Sequence, residues 1–179
     1  MERRFIKVGT RHFVLLLFIP FFLSCVIGRE DADVEDSSIV QVGDRLPAFD
    51  VVTSDGQHVT TDSLMGRRSV VVFFHTTCGD CQKELPQVDV LYRSHRQEPG
   101  FRLICIARDE RQPDIQAFWE KNGLVMPYSP QPDNRVYSLF ARRTIPRLYL
   151  SGPDGIVRFM HDDQDMPTAD QLEKELNAL

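Results

Sequence analysis

After residue 41, the apolar and polar residues follow patterns that predict a succession of strands and helices. Continuous apolar runs at 69–74 and 101–107 are typical of strands that are covered on both faces. Apolar residues recur at helical spacing after Gly79 and again over 113–122, where Gly123 provides a stop. Strand, helix, strand and helix in this order imply parallel strands joined by crossovers.

Turn-forming residues separate shorter apolar runs on either side of this core. One turn lies between runs 48–52 and 57–60, and another lies between runs 145–150 and 156–160, so we expect two antiparallel hairpins. Thr168 begins a capping-box pattern and predicts a last helix with a leucine stripe. Weaker patterns predict a short strand over 125–128 and a short helix over 134–140.

The first 24 residues have a different composition from the remainder. They hold four of the 21 basic residues but one of the 26 acidic residues, and an apolar run extends from Phe13 to Leu23. This order matches the basic and apolar regions of an export signal, and the run is shorter than the about 20 residues of a membrane span. Leu23-Ser24-Cys25 resembles a lipoprotein signal, which implies cleavage before Cys25 and a lipid on that cysteine. An uncleaved anchor and an ordinary signal peptide cut nearby are the alternatives.

The sequence predicts three segments: a signal peptide at 1–24, a lipid-attached acidic linker at 25–41 and a folded domain at 42–179. The linker contains five acidic residues between 30 and 36 and few apolar ones, so it cannot bury enough surface to order itself. The whole chain has a formal net charge of −5. The residues after the signal hold 17 basic and 25 acidic side chains, a formal charge of −8, so the domain has no electrostatic basis for binding nucleic acid.

A Cys-x-x-Cys pair, Cys78-Gly79-Asp80-Cys81, stands between the first buried strand and the first long helix. This spacing brings both sulfur atoms into one helical turn within disulfide distance. The unpaired N–H groups at a helix N-terminus favour the thiolate of Cys78. The pair is therefore a candidate for thiol-disulfide exchange, in which Cys78 attacks and Cys81 resolves the mixed disulfide.

The stretch 73–86, read beside Thr144-Ile145-Pro146, resembles exported thioredoxin-like proteins of the TlpA/ResA type. The resemblance covers about 42–179 and implies an α/β thioredoxin-like fold. In this fold a central mixed sheet is flanked by helices, with an N-terminal β-hairpin and a strand-helix insertion. It also implies a cis peptide bond before Pro146, facing the cysteine pair. Thr77 departs from the family, which usually has tryptophan before the first cysteine.

The resemblance implies a thiol-disulfide oxidoreductase that works outside the cytoplasm without a cofactor. Cys78 and Cys81 would be catalytic, and Thr77, Ile145 and Pro146 would contact the substrate. The partners would be protein disulfides and an upstream thiol donor, with the chain attached to a bacterial membrane through its lipid. The sequence names neither the substrate nor the donor.

Two carboxylates near the cysteines are candidates for tuning the reaction. Glu84 matches an active-site glutamate of ResA-like proteins, and at three residues from Cys81 it is placed to accept that thiol's proton. The alternative for Glu84 is an exposed helix residue without a partner. Asp80 puts a negative charge beside Cys78, which opposes thiolate formation and favours the reducing direction.

Other assignments remain open for the cysteine pair and for two nearby residues. A permanent disulfide or half of a zinc site would be the structural alternative, but no second Cys/His pair at ligand spacing is present, so no metal site is expected. Cys105 is expected to be a small buried hydrophobe, and His75 a structural or surface group. A peroxidase with this fold and a non-catalytic partner-binding module are the alternative functions.

Overall fold

The computed structural model describes Met1 and residues 38–179. The predicted signal peptide, the lipidation site Cys25 and most of the predicted linker lie outside the described residues. Ser38 forms a bridge with Ala141, and the N–H groups of Ile39 and Val40 both donate to Phe140 O. Residues 38–40, which the sequence assigns to the linker, therefore contact the domain.

A five-stranded mixed sheet forms the centre of the domain. Its strands, in spatial order, are β5 Tyr128–Ser129, β4 Phe101–Ala107, β3 Arg68–Phe74, β6 Arg147–Ser151 and β7 Val157–His161. Strand β4 is parallel to β3 and β5, whereas β6 is antiparallel to β3 and β7. This arrangement confirms the predicted mixed α/β sheet with helical crossovers.

Four helices and a two-stranded sheet complete the domain. The two-stranded sheet and the β6–β7 pair confirm the two predicted hairpins, and the three longer helices are also as predicted. A capping box at Thr60 starts the shortest helix, and Gly123 in a left-handed conformation, with φ of 64°, ends the third. The elements are β1 Asp50–Val52, β2 His58–Thr60, α1 Thr61–Leu64, α2 Gly79–His95, α3 Gln112–Asn122 and α4 Ala169–Asn177. No helix within residues 38–179 is both long enough and apolar enough to cross a membrane.

Strand β3 supplies side chains to both cores of the domain. Val70, Val72 and Phe74 pack on the side that α2 and α4 cover, whereas Val71 and Phe73 pack on the other side. Side chains alternate between the two faces of a strand, so a strand covered on both faces must be apolar throughout. This packing fixes the end of β3, and therefore the loop that carries the cysteines.

Two short predicted elements differ from the structure. The strand predicted over 125–128 is reduced to Tyr128–Ser129, because Val125 N–H donates to Asp89 Oδ1 instead of joining a ladder. The helix predicted over 134–140 is a single 3₁₀ turn at Tyr137–Leu139. Asp133 Oδ1 accepts from Arg135 N–H in an Asx turn, which occupies the position where the longer helix would begin.

Candidate active site

Cys78 occupies the N-cap position of α2, and its thiol faces the loop that precedes β6. The Cys78 thiol donates to Ile145 O at 3.5 Å, and the peptide bond between Ile145 and Pro146 is cis. Four of the residues predicted for the site, Cys78, Cys81, Ile145 and Pro146, thus lie at the junction of α2 and β6. The cis bond confirms what the resemblance implied.

The two cysteines occupy different environments although only two residues separate them. Cys78 is half-buried, whereas Cys81 is fully buried against the core. Burial raises the pKa of the Cys81 thiol well above its usual range, and its hydrogen bond with Cys78 acts in the same direction. Both carry free thiols in this structure. A partner from solvent can therefore reach Cys78 but not Cys81.

Glu84 lies on the same face of α2 as Cys81 and is 2% exposed. The alternative of an exposed helix residue is therefore wrong. Burial raises the pKa of this carboxyl to about 7, and the charge of His161 partly opposes the shift. Its Oε1 has no hydrogen-bond partner within the described residues. Glu84 is thus poised to gain or lose a proton near neutral pH.

His161, at the end of β7, holds the charge that acts on Glu84. Its Nδ1 lies 3.0 Å from Asp165 Oδ2 and its Nε2 lies 2.7 Å from Glu175 Oε2. Burial opposes the charge, but the hydrogen bonds to these carboxylates raise the pKa of the imidazole. The imidazolium suits this position because both ring nitrogens can then donate. Its spacing in the sequence does not single out His161.

Asp80 forms an ion pair within the first turn of α2. Its Oδ1 accepts from Lys83 Nζ at 2.9 Å, and both side chains are well exposed. The pair offsets part of the negative charge that Asp80 brings to the cysteines. Exposed pairs of this kind are weak and are screened by salt.

A shallow cleft of about 310 Å³ surrounds the Cys78 thiol. Thr77 lies on it and is exposed, as expected of a substrate contact. A larger cleft of about 440 Å³, between the β1–β2 hairpin and the end of α2, contains no cysteine, so we assign the chemistry to the smaller one. The lining residues of the smaller cleft are His75, Thr77, Cys78, Arg108, Asp109, Asn134 and Ile145.

The remaining candidates are structural in this arrangement. Cys105 is fully buried in β4, and its thiol lies 3.8 Å from Met126 Sδ, which confirms its prediction as a buried hydrophobe. His75 Nδ1 accepts from Thr77 N–H at 3.2 Å, so it orders the loop before Cys78. No group of three or more His, Cys, Asp or Glu side chains in the described part of the chain is arranged to hold a metal ion.

A family model described as "AhpC/TSA family" matches residues 42–160, which is well over half of the chain. The chain belongs to this family. It is 26% identical over 145 residues to the thiol-disulfide oxidoreductase ResA of Bacillus anthracis, covering 80% of this chain and 82% of ResA. ResA of Oceanobacillus iheyensis is 24% identical over 173 residues, covering 94% of this chain and 87% of that protein.

Solved structures show the same thioredoxin-like fold. A putative protein disulfide isomerase from Bacteroides thetaiotaomicron superposes with a TM-score of 0.73 at 25% identity, covering 80% of this chain and 90% of that one. StoA from Bacillus subtilis gives a TM-score of 0.60 at 23% identity, covering 74% and 97%. Together with the ResA relatives, these similarities identify this AhpC/TSA family member as an enzyme of the thiol-disulfide oxidoreductase class.

Proposed function

We propose that this oxidoreductase reduces disulfides of exported proteins through a Cys78/Cys81 dithiol-disulfide couple. The observation that carries the proposal is the contrast between the two sulfur atoms. Cys78 is accessible beside the cis-proline loop, whereas Cys81 is fully buried directly behind it. An accessible nucleophile and a protected resolving thiol are what a two-step exchange requires.

In the first step, the Cys78 thiolate attacks one sulfur of the substrate disulfide. A mixed disulfide forms, and the other substrate sulfur leaves as a thiolate that takes up a proton. In the second step, Cys81 attacks the Cys78 sulfur and releases the second substrate thiol. The enzyme then holds the disulfide, and an upstream dithiol must reduce it before another cycle.

Glu84 is proposed as the base for the second step. The buried Cys81 thiol resists ionisation and needs an acceptor for its proton when it attacks. Glu84 is one helical step away, and a pKa of about 7 leaves a large fraction of its carboxyl ionised at neutral pH. Within residues 38–179, Glu84 Oε1 has no hydrogen bond that must break before it takes the proton.

The cleft suits an extended polypeptide better than a small molecule. It is shallow, and the exposed Thr77 and half-buried Ile145 border the Cys78 thiol. The Ile145 carbonyl accepts from that thiol, and reaction at sulfur frees the carbonyl for a substrate N–H. Thr77 and Ile145 would then align the substrate main chain beside its disulfide, whereas Pro146 is buried beneath this surface and would act through the Ile145 carbonyl that precedes it.

The enzyme is proposed to work outside the cytoplasm, tethered to a bacterial membrane. Support comes from the sequence of the signal segment 1–24, the Ser24-Cys25 step and the acidic residues within 25–41. Globomycin inhibits lipoprotein signal cleavage, so treated cells should accumulate the uncleaved form. A Cys25→Ser variant should lose lipid labelling and leave the membrane fraction. Unchanged membrane association without label would exclude a lipid anchor.

The mechanism is tested by trapping the intermediate. Cys81→Ala should accumulate a mixed disulfide with a peptide disulfide, and reduction by dithiothreitol should reverse it. Cys78→Ser should form none, and Cys105→Ala is the matched control that should turn over like the parent. Mixed disulfides on Cys81 or Cys105 would contradict the assignment. Rapid consumption of hydrogen peroxide without disulfide exchange would favour the peroxidase alternative.

A further inference from the structure

Glu110, in the loop between β4 and α3, is a buried carboxylate that the proposed reaction does not use. It is 5% exposed. Nothing in the sequence distinguishes it, because it lies 32 residues after Cys78 in a stretch rich in exposed charges. A buried carboxylate must be well hydrogen-bonded to be tolerated, so its partners indicate what it does.

Both oxygens of Glu110 bind Thr76. The Thr76 N–H donates to Oε2 at 2.9 Å, and the Thr76 hydroxyl donates to Oε1. His75 Nδ1 is 3.6 Å from Oε1, which is too long for a hydrogen bond. That nitrogen already accepts from Thr77 N–H through its lone pair, so it carries no proton that it could donate to Glu110. Thr76 is therefore the residue that Glu110 holds.

The loop around Glu110 is itself rigidly held. Glu110 N–H donates to Gln131 O at 2.7 Å, and Gln131 N–H donates to Glu110 O at 3.1 Å. The preceding residue, Asp109, has φ of 55°, the one positive value outside glycine among the described residues. A non-glycine residue in this region persists only where its surroundings impose it. Glu110 is thus a fixed point rather than a mobile side chain.

The loop held by Glu110 leads directly to the attacking cysteine. Thr76 is two residues before Cys78, and Cys78 N–H donates to His75 O at 3.0 Å. On the other side, Gln82 Nε2 donates to Thr76 O at 2.7 Å, which ties the loop to the first turn of α2. A shift of Thr76 would therefore move the Cys78 sulfur relative to Ile145 and the substrate.

We infer that Glu110 is a positioning residue for the exchange reaction, which holds Thr76 and thereby places the Cys78 sulfur for attack. The expected effect on the exchange rate rests on the proposed function. Glu110 acts through Thr76 and does not touch the substrate. Displacing a reacting group by about 1 Å can cost about 100-fold in rate, so the loss of two hydrogen bonds next to the nucleophile should be measurable.

The test compares Glu110→Ala, which removes both acceptor oxygens, with Glu110→Gln, which keeps the shape of the side chain and one acceptor oxygen. The glutamine oxygen can accept from Thr76 N–H while its amide donates to the Thr76 hydroxyl. We expect the second-order rate with a peptide disulfide to fall about tenfold or more in the alanine variant and to stay within about threefold of the parent in the glutamine variant. Glu120→Ala, at an exposed glutamate of α3, is the matched control.

Amide hydrogen exchange at Thr76 and Cys78 provides a readout that needs no substrate. Faster exchange at both amides in Glu110→Ala, reversed in Glu110→Gln, is expected if Glu110 holds the loop. A parent protein without exchange activity would contradict the proposed function, whereas unaltered amide protection would contradict the hold on the loop. An active alanine variant at the parent rate would overturn the catalytic consequence. Equal losses of rate in the alanine and glutamine variants would overturn the inference, because the charge of Glu110 and not its hold on Thr76 would then matter.

Discussion

Replacing Glu84 by glutamine removes an ionisable carboxyl from the core while keeping its shape. The folded protein holds this side chain at 2% exposure, with no hydrogen-bond partner for Oε1 among the described residues. Ionising it there is costly, and burial accordingly raises its pKa from 4.5 to about 7. At high pH the ionised Glu84 therefore lowers the free energy of unfolding of the parent protein, and the Glu84→Gln variant does not have this loss of stability.

The size of the penalty follows from the difference between the folded and unfolded chains. The unfolded chain ionises Glu84 above its usual pKa, whereas the folded chain keeps the proton until about pH 7. Between these values the fold loses about 1.4 kcal/mol per pH unit relative to the unfolded chain, and above them the loss is constant. The rise from 4.5 to about 7 therefore corresponds to about 3 kcal/mol.

Urea unfolding of the parent and of Glu84→Gln at several pH values between 4 and 9 measures this penalty. We expect the stability difference to change by about 3 kcal/mol in favour of the variant as the pH rises from 4.5 to 8. Other titrating groups are common to both proteins and largely cancel. Glu120→Gln, on the exposed face of α3, should show no such trend. A difference that does not vary with pH would refute the reasoning.

Three further predictions concern groups around the site. Asp80→Asn should make the cysteine couple more oxidising. Lys83→Gln should make it more reducing, because Lys83 offsets the Asp80 charge. Redox titration in low salt checks the direction of both changes in reduction potential. His161→Gln should cost most stability at low pH, with the difference fading as the pH rises through the raised pKa of His161, as followed by thermal unfolding; a constant difference would argue against an imidazolium. Cys105→Ala should lower stability by about 1 kcal/mol in urea unfolding and leave the exchange rate unchanged, which a slowed reaction would contradict.

The elements that follow from local patterns were predictable from the sequence. The apolar run of β3 reflects burial on both faces, and the Cys-x-x-Cys spacing reflects one helical turn, so neither needs information from distant residues. The cis peptide bond before Pro146 was predicted instead from the resemblance to known proteins. Short elements such as β5 were predicted less well, because a single contact from Asp89 redirects the backbone at Val125.

The surroundings of the cysteines depend on contacts that sequence spacing does not show. Glu110 reaches Thr76 across 34 positions, and His161 at the end of β7 is held by Glu175 of α4. Burial of Glu84 likewise depends on how α2 packs against α4. These features come from the tertiary arrangement, and they set the position and protonation of groups that the motif alone identifies only by type.

The reduction potential of the Cys78/Cys81 couple tests the central claim most directly. Whole protein equilibrated with dithiothreitol or glutathione buffers, then quenched and analysed by mass spectrometry, gives the fraction of the disulfide at each potential. We predict a single two-electron transition at or below about −230 mV, in the range of reducing thioredoxin-like proteins. No disulfide between Cys78 and Cys81, or a midpoint near the about −120 mV of a strong oxidant, would contradict the account.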